Sequence, residues 1–107
     1  MKTKRINHKK IYDTIAKKFN IIYWKESWNP VNFTYFWLDR NDFLNREPAF
    51  IIEKIPETKC HFKIIYFMKI KQEKITNKII DEIIEEYKKQ EQDLQIDFNF
   101  NRESFLI

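Results

Sequence analysis

The sequence predicts one α+β domain, in which an antiparallel β-meander of about four to five strands carries two helices on one face. Apolar residues recur at three- and four-residue intervals in two segments, as they do in amphipathic helices. Between these segments lie β-branched and aromatic runs separated by polar or proline-containing breaks. The expected order is α-β-β-β-β-α-β, and 107 residues suffice for one core. We expect residues 1–107 to form a single domain, with residues 1–7 as a flexible basic arm.

The first helix is predicted over residues 8–19, where Asn7 is a suitable N-cap residue. Its apolar stripe consists of Ile11, Tyr12, Ile15, Ala16 and Phe19. Lysines occupy the opposite face, so the stripe is expected to pack on the sheet.

Three strands are predicted before the middle of the chain. Residues 21–27 are aromatic and β-branched and precede a break at Trp28, Asn29 and Pro30, which predicts a strand and a turn. Residues 31–38 are strand-forming types at positions that point to both faces of a sheet, so we expect this strand to be central and covered on more than one side. The polar residues 39–42 end it, and residues 49–52 form the next short apolar run.

The second half predicts a long strand, a helix and a final strand. Pro56 stands at the second position of a predicted turn, and residues 59–71 form the longest strand candidate. Thr76 is a suitable cap for a helix whose stripe follows, and the last strand alternates apolar and polar residues near residues 94–100. The helical stripe consists of Ile79, Ile80, Ile83, Ile84 and Tyr87.

The chain contains no glycine, and this excludes several families of enzyme motif. Phosphate-binding P-loops, dinucleotide-binding turns and nucleophile elbows all need glycine at fixed positions. Cys60 is the only cysteine, and no apolar run approaches the roughly 18 residues of a spanning helix. No secretory signal is recognisable, so we expect a cytoplasmic protein that does not contact membranes.

Catalytic and metal-binding residues are not predicted. Cys60 and His61 are adjacent, so on a strand they point to opposite faces and do not form a nucleophile–base pair. With one cysteine and two histidines, a zinc site would need carboxylates from distant loops. We therefore expect no cofactor and no enzymatic activity.

Candidate nucleic-acid-binding residues lie at the basic end and on one strand face. Residues 1–18 hold seven bases against one acid, and one face of the strand over residues 59–71 mixes lysines with an aromatic ring. In such a surface, ammonium groups bind phosphates and aromatic rings stack on bases. The alternative is an ordinary solvent-facing strand whose lysines protect it from aggregation. The candidates are Lys4, Arg5, Lys9, Lys10, Lys17, Lys18, Lys63, Phe67, Lys69 and Lys71.

Candidate protein-interface residues are Trp24, Trp28, Glu82 and Glu86. Exposed tryptophans are typical of protein interfaces, and Trp37 belongs to the same group. Residues 73–93 hold seven acids against four bases, so the second helix has an acidic face that is either solvated or docks on a basic partner.

A diverged metal-dependent nuclease is a further alternative. Asp39 or Asp42, followed by Glu57, Thr58 and Lys59, resembles the acid and Glu-x-Lys arrangement of restriction-type nucleases. A solvated turn is the plain alternative for these residues.

Two family comparisons follow from the whole chain. The element order invites comparison with double-stranded RNA-binding domains, but the second helix opens Thr76-Asn77-Lys78-Ile79-Ile80 without that family's glycine- and lysine-containing motif. In its size, its Lys/Ile/Asn-rich composition and its uneven charge, the chain resembles small anti-defence proteins of phages and mobile elements, including anti-CRISPR proteins.

This resemblance implies a non-enzymatic inhibitor of a nucleic-acid-guided defence effector. Such an inhibitor would bind RNA or a nucleoprotein, with an effector protein as its partner, in the host cytoplasm. The alternative from the residues themselves is a protein–protein interaction module or a homodimeric structural module.

Overall fold

The computed structural model describes residues 5–28, 31–58, 60–68 and 72–106 of the chain. Three helices and five strands follow one another in these segments. They are α1 (His8–Phe19), β1 (Ile22–Trp28), β2 (Val31–Trp37), α2 (Arg40–Leu44), β3 (Phe50–Lys54), β4 (His61–Met68), α3 (Glu73–Leu94) and β5 (Asn99–Leu106).

The five strands form one open sheet in the order β1-β2-β3-β4-β5. Neighbours are antiparallel from β1 to β4, whereas β5 runs parallel to β4. The parallel pair follows from connectivity, because α3 carries the chain back to the starting end of β4. The predicted α+β class and element order are confirmed, and the short α2 is an addition.

The helix α1 has the predicted bounds and the predicted cap. The side chain of Asn7 accepts a hydrogen bond from the backbone N–H of Lys10 at 3.1 Å. At the other end Asn20 adopts a left-handed conformation with φ 55°. Asparagine tolerates this conformation better than most residues, which suits a chain without glycine.

Several boundaries differ from the sequence-based expectation. The polar break at residues 39–42 is the start of α2, where the Asp39 carboxylate accepts from the Asp42 N–H at 2.8 Å. The helix α3 begins at Glu73, so Thr76 is not its cap but lies buried inside it. The last strand starts at Asn99 rather than near residue 94, because α3 extends to Leu94.

The turn between β3 and β4 confirms the prediction for Pro56. The Thr58 N–H donates to the Ile55 carbonyl at 3.3 Å, which closes a four-residue turn with proline at its second position. Glu57 has φ 66° at the third position, as a type II turn requires.

The core lies in one layer between the sheet and the helices α1 and α3. Ile79, Ile80, Ile83 and Tyr87 are fully buried, which confirms the predicted stripe of the second helix. Paired positions on the strands face these residues, with Phe36 opposite Phe50 and Ile52 opposite Ile64. The rings of Phe36 and Phe50 stack with centroids 4.4 Å apart.

The opposite side of the sheet, which we call the open face, is covered by much less of the structure than the core side. Alternation and register place Trp24, Tyr35, Ile51 and Ile65 on this side. Among the described helices, only the five-residue α2 packs against it, through contact with β2. The sheet therefore has one face inside the core and one face that is mostly free.

We expect Ile83→Ala to lower the free energy of unfolding by about 2–5 kcal/mol, because truncating a buried isoleucine leaves a cavity against the sheet. Chemical denaturation measures this loss. Ile75→Ala, in the same helix but 41% exposed, is the matched control and should change stability little. Equal losses for the two variants would contradict the packing of α3 described here.

Candidate functional site

The open face carries an aromatic pocket of about 800 Å³ beside β1. The strands β1 and β2 supply its floor, and α2 with the segment that follows supplies one wall. The residues that line this aromatic pocket are Trp24, Glu26, Tyr35, Trp37, Phe43, Leu44, Arg46 and Pro48.

The aromatic side chains of the pocket support one another. Trp24 stands opposite Tyr35 in the β1–β2 register. Tyr35 and Trp37, two residues apart on β2, stack with centroids 6.0 Å apart. The Phe43 ring of α2 meets Trp37 edge-on at 5.0 Å. Because Trp37 is held between Tyr35 and Phe43, little side-chain entropy of these three rings remains to be lost when a partner binds.

Two charged groups lie at the pocket. The Glu26 carboxylate accepts a hydrogen bond from the Tyr35 hydroxyl at 3.1 Å, and burial together with this carboxylate raises the pKa of Tyr35. Arg46 follows α2 with φ 56°. The pocket therefore offers one acceptor and one donor around an aromatic lining, as specific binding pockets commonly do.

Two tryptophans of β1 project from the open face, Trp24 in the lining of the pocket and Trp28 four residues further along the strand. Trp24 is 60% exposed and Trp28 is 62% exposed, although both are large apolar side chains. Large exposed aromatic residues clustered on one surface mark interaction sites, whereas single exposed apolar residues do not. The prediction that these tryptophans belong to an interface stays a prediction, and the pocket beside them supports it.

The predicted nucleic-acid-binding residues that the structure describes do not form one surface. Three of the candidate lysines are in ion pairs, Lys9 with Asp13, Lys18 with Glu82 and Lys63 with Glu103. Arg5, Lys10 and Lys17 are exposed around α1, and the Phe67 ring stacks on Phe105 on the open face. Lys4, Lys69 and Lys71 lie outside the described residues.

Glu82 and Glu86 lie on α3, on the helical side of the sheet. Glu82 contacts Lys18 of α1, and Glu86 pairs with Lys89 at 2.9 Å. The structure therefore does not bring these carboxylates together with Trp24 or Trp28.

The carboxylates of the nuclease alternative are at different ends of the sheet. Asp39 caps α2 after the end of β2, whereas Glu57 lies in the turn after β3, which runs the opposite way. Within the part of the chain that the structure describes, no group of three His, Cys, Asp or Glu side chains is placed to hold a metal ion. No described helix has the length and apolar character to cross a membrane.

A buried polar chain, which the sequence analysis missed, links the two long helices. The Tyr12 and Tyr87 hydroxyl oxygens are 2.7 Å apart, and Tyr87 Oη is 2.8 Å from His8 Nδ1. Burial raises the pKa of Tyr12 to about 12 and that of Tyr87 further. The sequence analysis assigned both tyrosines to apolar stripes. A buried tyrosine hydroxyl usually has a hydrogen-bond partner, so two tyrosines on two buried stripes could have indicated that they pair.

No protein-family model, no curated protein and no solved structure matches this chain. The function must therefore be inferred from the geometry of the described residues.

We expect a pH dependence of stability from His8. Burial, with Lys25 and Lys54 nearby, lowers the pKa of its imidazole from 6.5 to about 4. Between these values the unfolded chain binds a proton that the folded chain does not, so the free energy of unfolding should fall as the pH is lowered from 6.5 towards 4. Asp13, whose pKa is lowered by Lys9 and Tyr23, acts in the same direction at lower pH.

Denaturation of His8→Gln at several pH values isolates this contribution. The variant should lose a large part of the pH slope between 4 and 6.5, while His61→Gln, at an exposed position, should keep it. Identical slopes for both variants would show that the imidazole of His8 is not protected from protonation.

Proposed function

We propose that this chain is a non-enzymatic binding protein that captures an extended segment of a protein partner along β1 and the aromatic pocket. The observation that carries the proposal is the pair of tryptophans, 60% and 62% exposed, on a strand that borders a pocket of about 800 Å³.

The charge of the described residues on the open face favours a protein over a nucleic acid. Glu26, Glu53 and Glu103 lie on this face with Lys63 and Arg46, and Lys63 is paired with Glu103 at 3.3 Å. Binding to a phosphate backbone depends on an excess of basic groups, because its affinity comes from counterion release. An aromatic surface without such an excess is typical of protein interfaces.

The position of β1 favours an extended partner segment. In the described sheet β1 has a strand neighbour on one side only, and an edge strand presents unpaired N–H and C=O groups. A segment paired with this edge would place alternate side chains over the tryptophans and beside the pocket. Backbone hydrogen bonds would supply affinity, and the pocket would supply specificity.

The sequence of β1 disfavours a second copy as the occupant. Lys25 is the central residue of Ile22–Trp28, so two copies paired antiparallel over the full strand would place Lys25 opposite its own counterpart. Like charges directly opposite one another destabilise a strand pair. The proposed occupant is therefore a different protein.

A nucleic-acid-guided defence effector is the partner that we propose on the basis of the compositional resemblance to anti-CRISPR proteins. In this form of the proposal, the chain inhibits the effector by occupying one of its protein surfaces.

Affinity capture from the native host, with variants, tests the proposal. Trp24→Ala and Trp28→Ala should each weaken capture of the partner by about 30-fold or more, since interface hot spots contribute roughly 2 kcal/mol or more. Both side chains are exposed, so thermal stability should be unchanged. Ile75→Ala, which removes an exposed apolar side chain of α3, is the matched control and should retain the partner.

Two results would contradict this function. If all three variants retain the partner equally, the open face does not bind it. If sedimentation shows a dimer of the wild-type chain that Trp24→Ala dissociates, the occupant is a second copy.

A further inference from the structure

A second cavity lies on the other side of the sheet, at the end where α1 begins. It has a volume of about 10 Å³, enough for roughly one water molecule. Side chains from α1 and from the strands β1 to β4 surround it, including His8, Lys25, Asn32 and Lys54. No acidic residue lines this opening, which we call the basic cleft.

The two lysines of the basic cleft, like the exposed Lys10 and Lys17, are not neutralised by a carboxylate of the described residues. Lys9, Lys18, Lys63, Lys88 and Lys89 each pair with a carboxylate. Lys25 and Lys54 form no ion pair with any residue that the structure describes. Their charges converge on one opening, so the cleft has an uncompensated positive potential.

The start of α1 adds to this potential. Its first turn contains no acidic residue, although the positive end of a helix dipole favours acids there. His8, Lys9 and Lys10 occupy these positions instead. Positive charge at the positive end of the helix dipole is unfavourable, and a bound anion would relieve this repulsion.

His8 lines the cleft and is held there by the Tyr87 hydroxyl. Its Nδ1 lies 2.8 Å from the Tyr87 hydroxyl, which leaves Nε2 as the nitrogen without this partner. If Tyr12 donates to Tyr87 and Tyr87 donates to Nδ1, the neutral imidazole carries its proton on Nε2. The lowered pKa, about 4, keeps the ring neutral at pH 7, and a bound anion would raise it.

We propose that the basic cleft binds the terminal phosphate group of a small phosphorylated molecule through Lys25, Lys54 and His8. Two ammonium groups match the charge of a phosphomonoester, which is close to −2 above its second pKa of about 6. The cavity admits one phosphate oxygen, and the Asn32 amide lies at its edge as a further donor. A nucleic-acid backbone would need a continuing row of cations, whereas the lining of the cleft contains no lysine or arginine besides Lys25 and Lys54.

This site is independent of the proposed function, because it lies on the side of the sheet that faces α1. The aromatic pocket lies on the open face, so neither result depends on the other.

Proton–carbon NMR of the two histidines tests the proposal directly. Inorganic phosphate and a nucleoside 5′-monophosphate are titrated into the wild-type protein at constant ionic strength, with chloride as the reference anion. The His8 ring signals should shift in a saturable manner, and their pKa should rise in the bound state. His61, exposed at the start of β4, is an internal control whose signals should not respond.

Lysine variants assign the binding to the cleft. Lys25→Gln and Lys54→Gln should each weaken binding of the monophosphate about tenfold, the loss expected for one strong charge-assisted contact. Lys17→Gln removes an exposed lysine from the same helix as His8 and should leave binding unchanged.

Three outcomes would overturn the proposal. Parallel shifts of His8 and His61 would indicate a general salt effect, and equal weakening by Lys17→Gln would indicate a diffuse field. Tighter binding of a single-stranded RNA without a terminal phosphate, with the same dependence on Lys25 and Lys54, would assign the cleft to a nucleic-acid backbone. The comparison of His8 with His61 uses only the wild-type protein, so it can overturn the proposal even if a lysine variant does not fold.

Discussion

The hydrogen bond between the Tyr12 and Tyr87 hydroxyls, 2.7 Å long and buried between α1 and α3, is the interaction on which the rest of the structure depends. The two helices are antiparallel, and further contacts join them at both ends. The Asn7 N–H donates to Gln90 at 3.1 Å near the start of α1, and Lys18 reaches Glu82 near its end. These contacts hold the two helices together side by side on the same face of the sheet.

The placement of both long helices on one side leaves the open face available for binding. A five-stranded sheet with aromatic residues on both faces needs cover on both sides to hide all of its apolar surface. Within the described segments the second side is covered only near α2, where Phe43 packs edge-on against Trp37. The uncovered remainder includes Trp24 and Trp28, so the same packing arrangement that forms the core also forms the proposed interface.

The polar chain also connects the core to the basic cleft. Tyr87 is fully buried, and its hydroxyl is satisfied by Tyr12 on one side and by His8 on the other. Buried polar groups are tolerated when every member has a partner, and such networks fix one arrangement of the elements around them. His8 is thus held at the cleft by a residue whose main contribution is to helix packing.

Periodicity predicted most of the fold but little of the site. The bounds of α1, the stripe of α3 and the turn at Pro56 followed from local spacing and local turn chemistry, which the structure confirms. The start of α3 was predicted wrongly. Thr76 is a residue type that often caps helices, but here it lies buried inside the helix, which begins at Glu73. Tertiary context overrode the local preference there.

The candidate site depends on contacts between distant parts of the chain. The aromatic pocket combines β1 and β2 with Phe43 and Leu44, two apolar residues that follow the predicted polar break at residues 39–42 and were assigned to no element. The ion pairs of Lys18 with Glu82 and Lys63 with Glu103 join residues far apart in sequence. Charge counts along the chain therefore could not show which lysines remain unpaired.

Fluorine NMR of the protein labelled with 5-fluorotryptophan tests the central claim most directly, because the chain has three tryptophans. In the free protein, exchange of water for deuterium oxide should shift the Trp24 and Trp28 resonances but not that of Trp37, which is 8% exposed. In the complex with the captured partner, Trp24 and Trp28 should lose this solvent shift. If both remain solvent-exposed in the complex, or if both are shielded in the free monomer, the open face is not the binding surface.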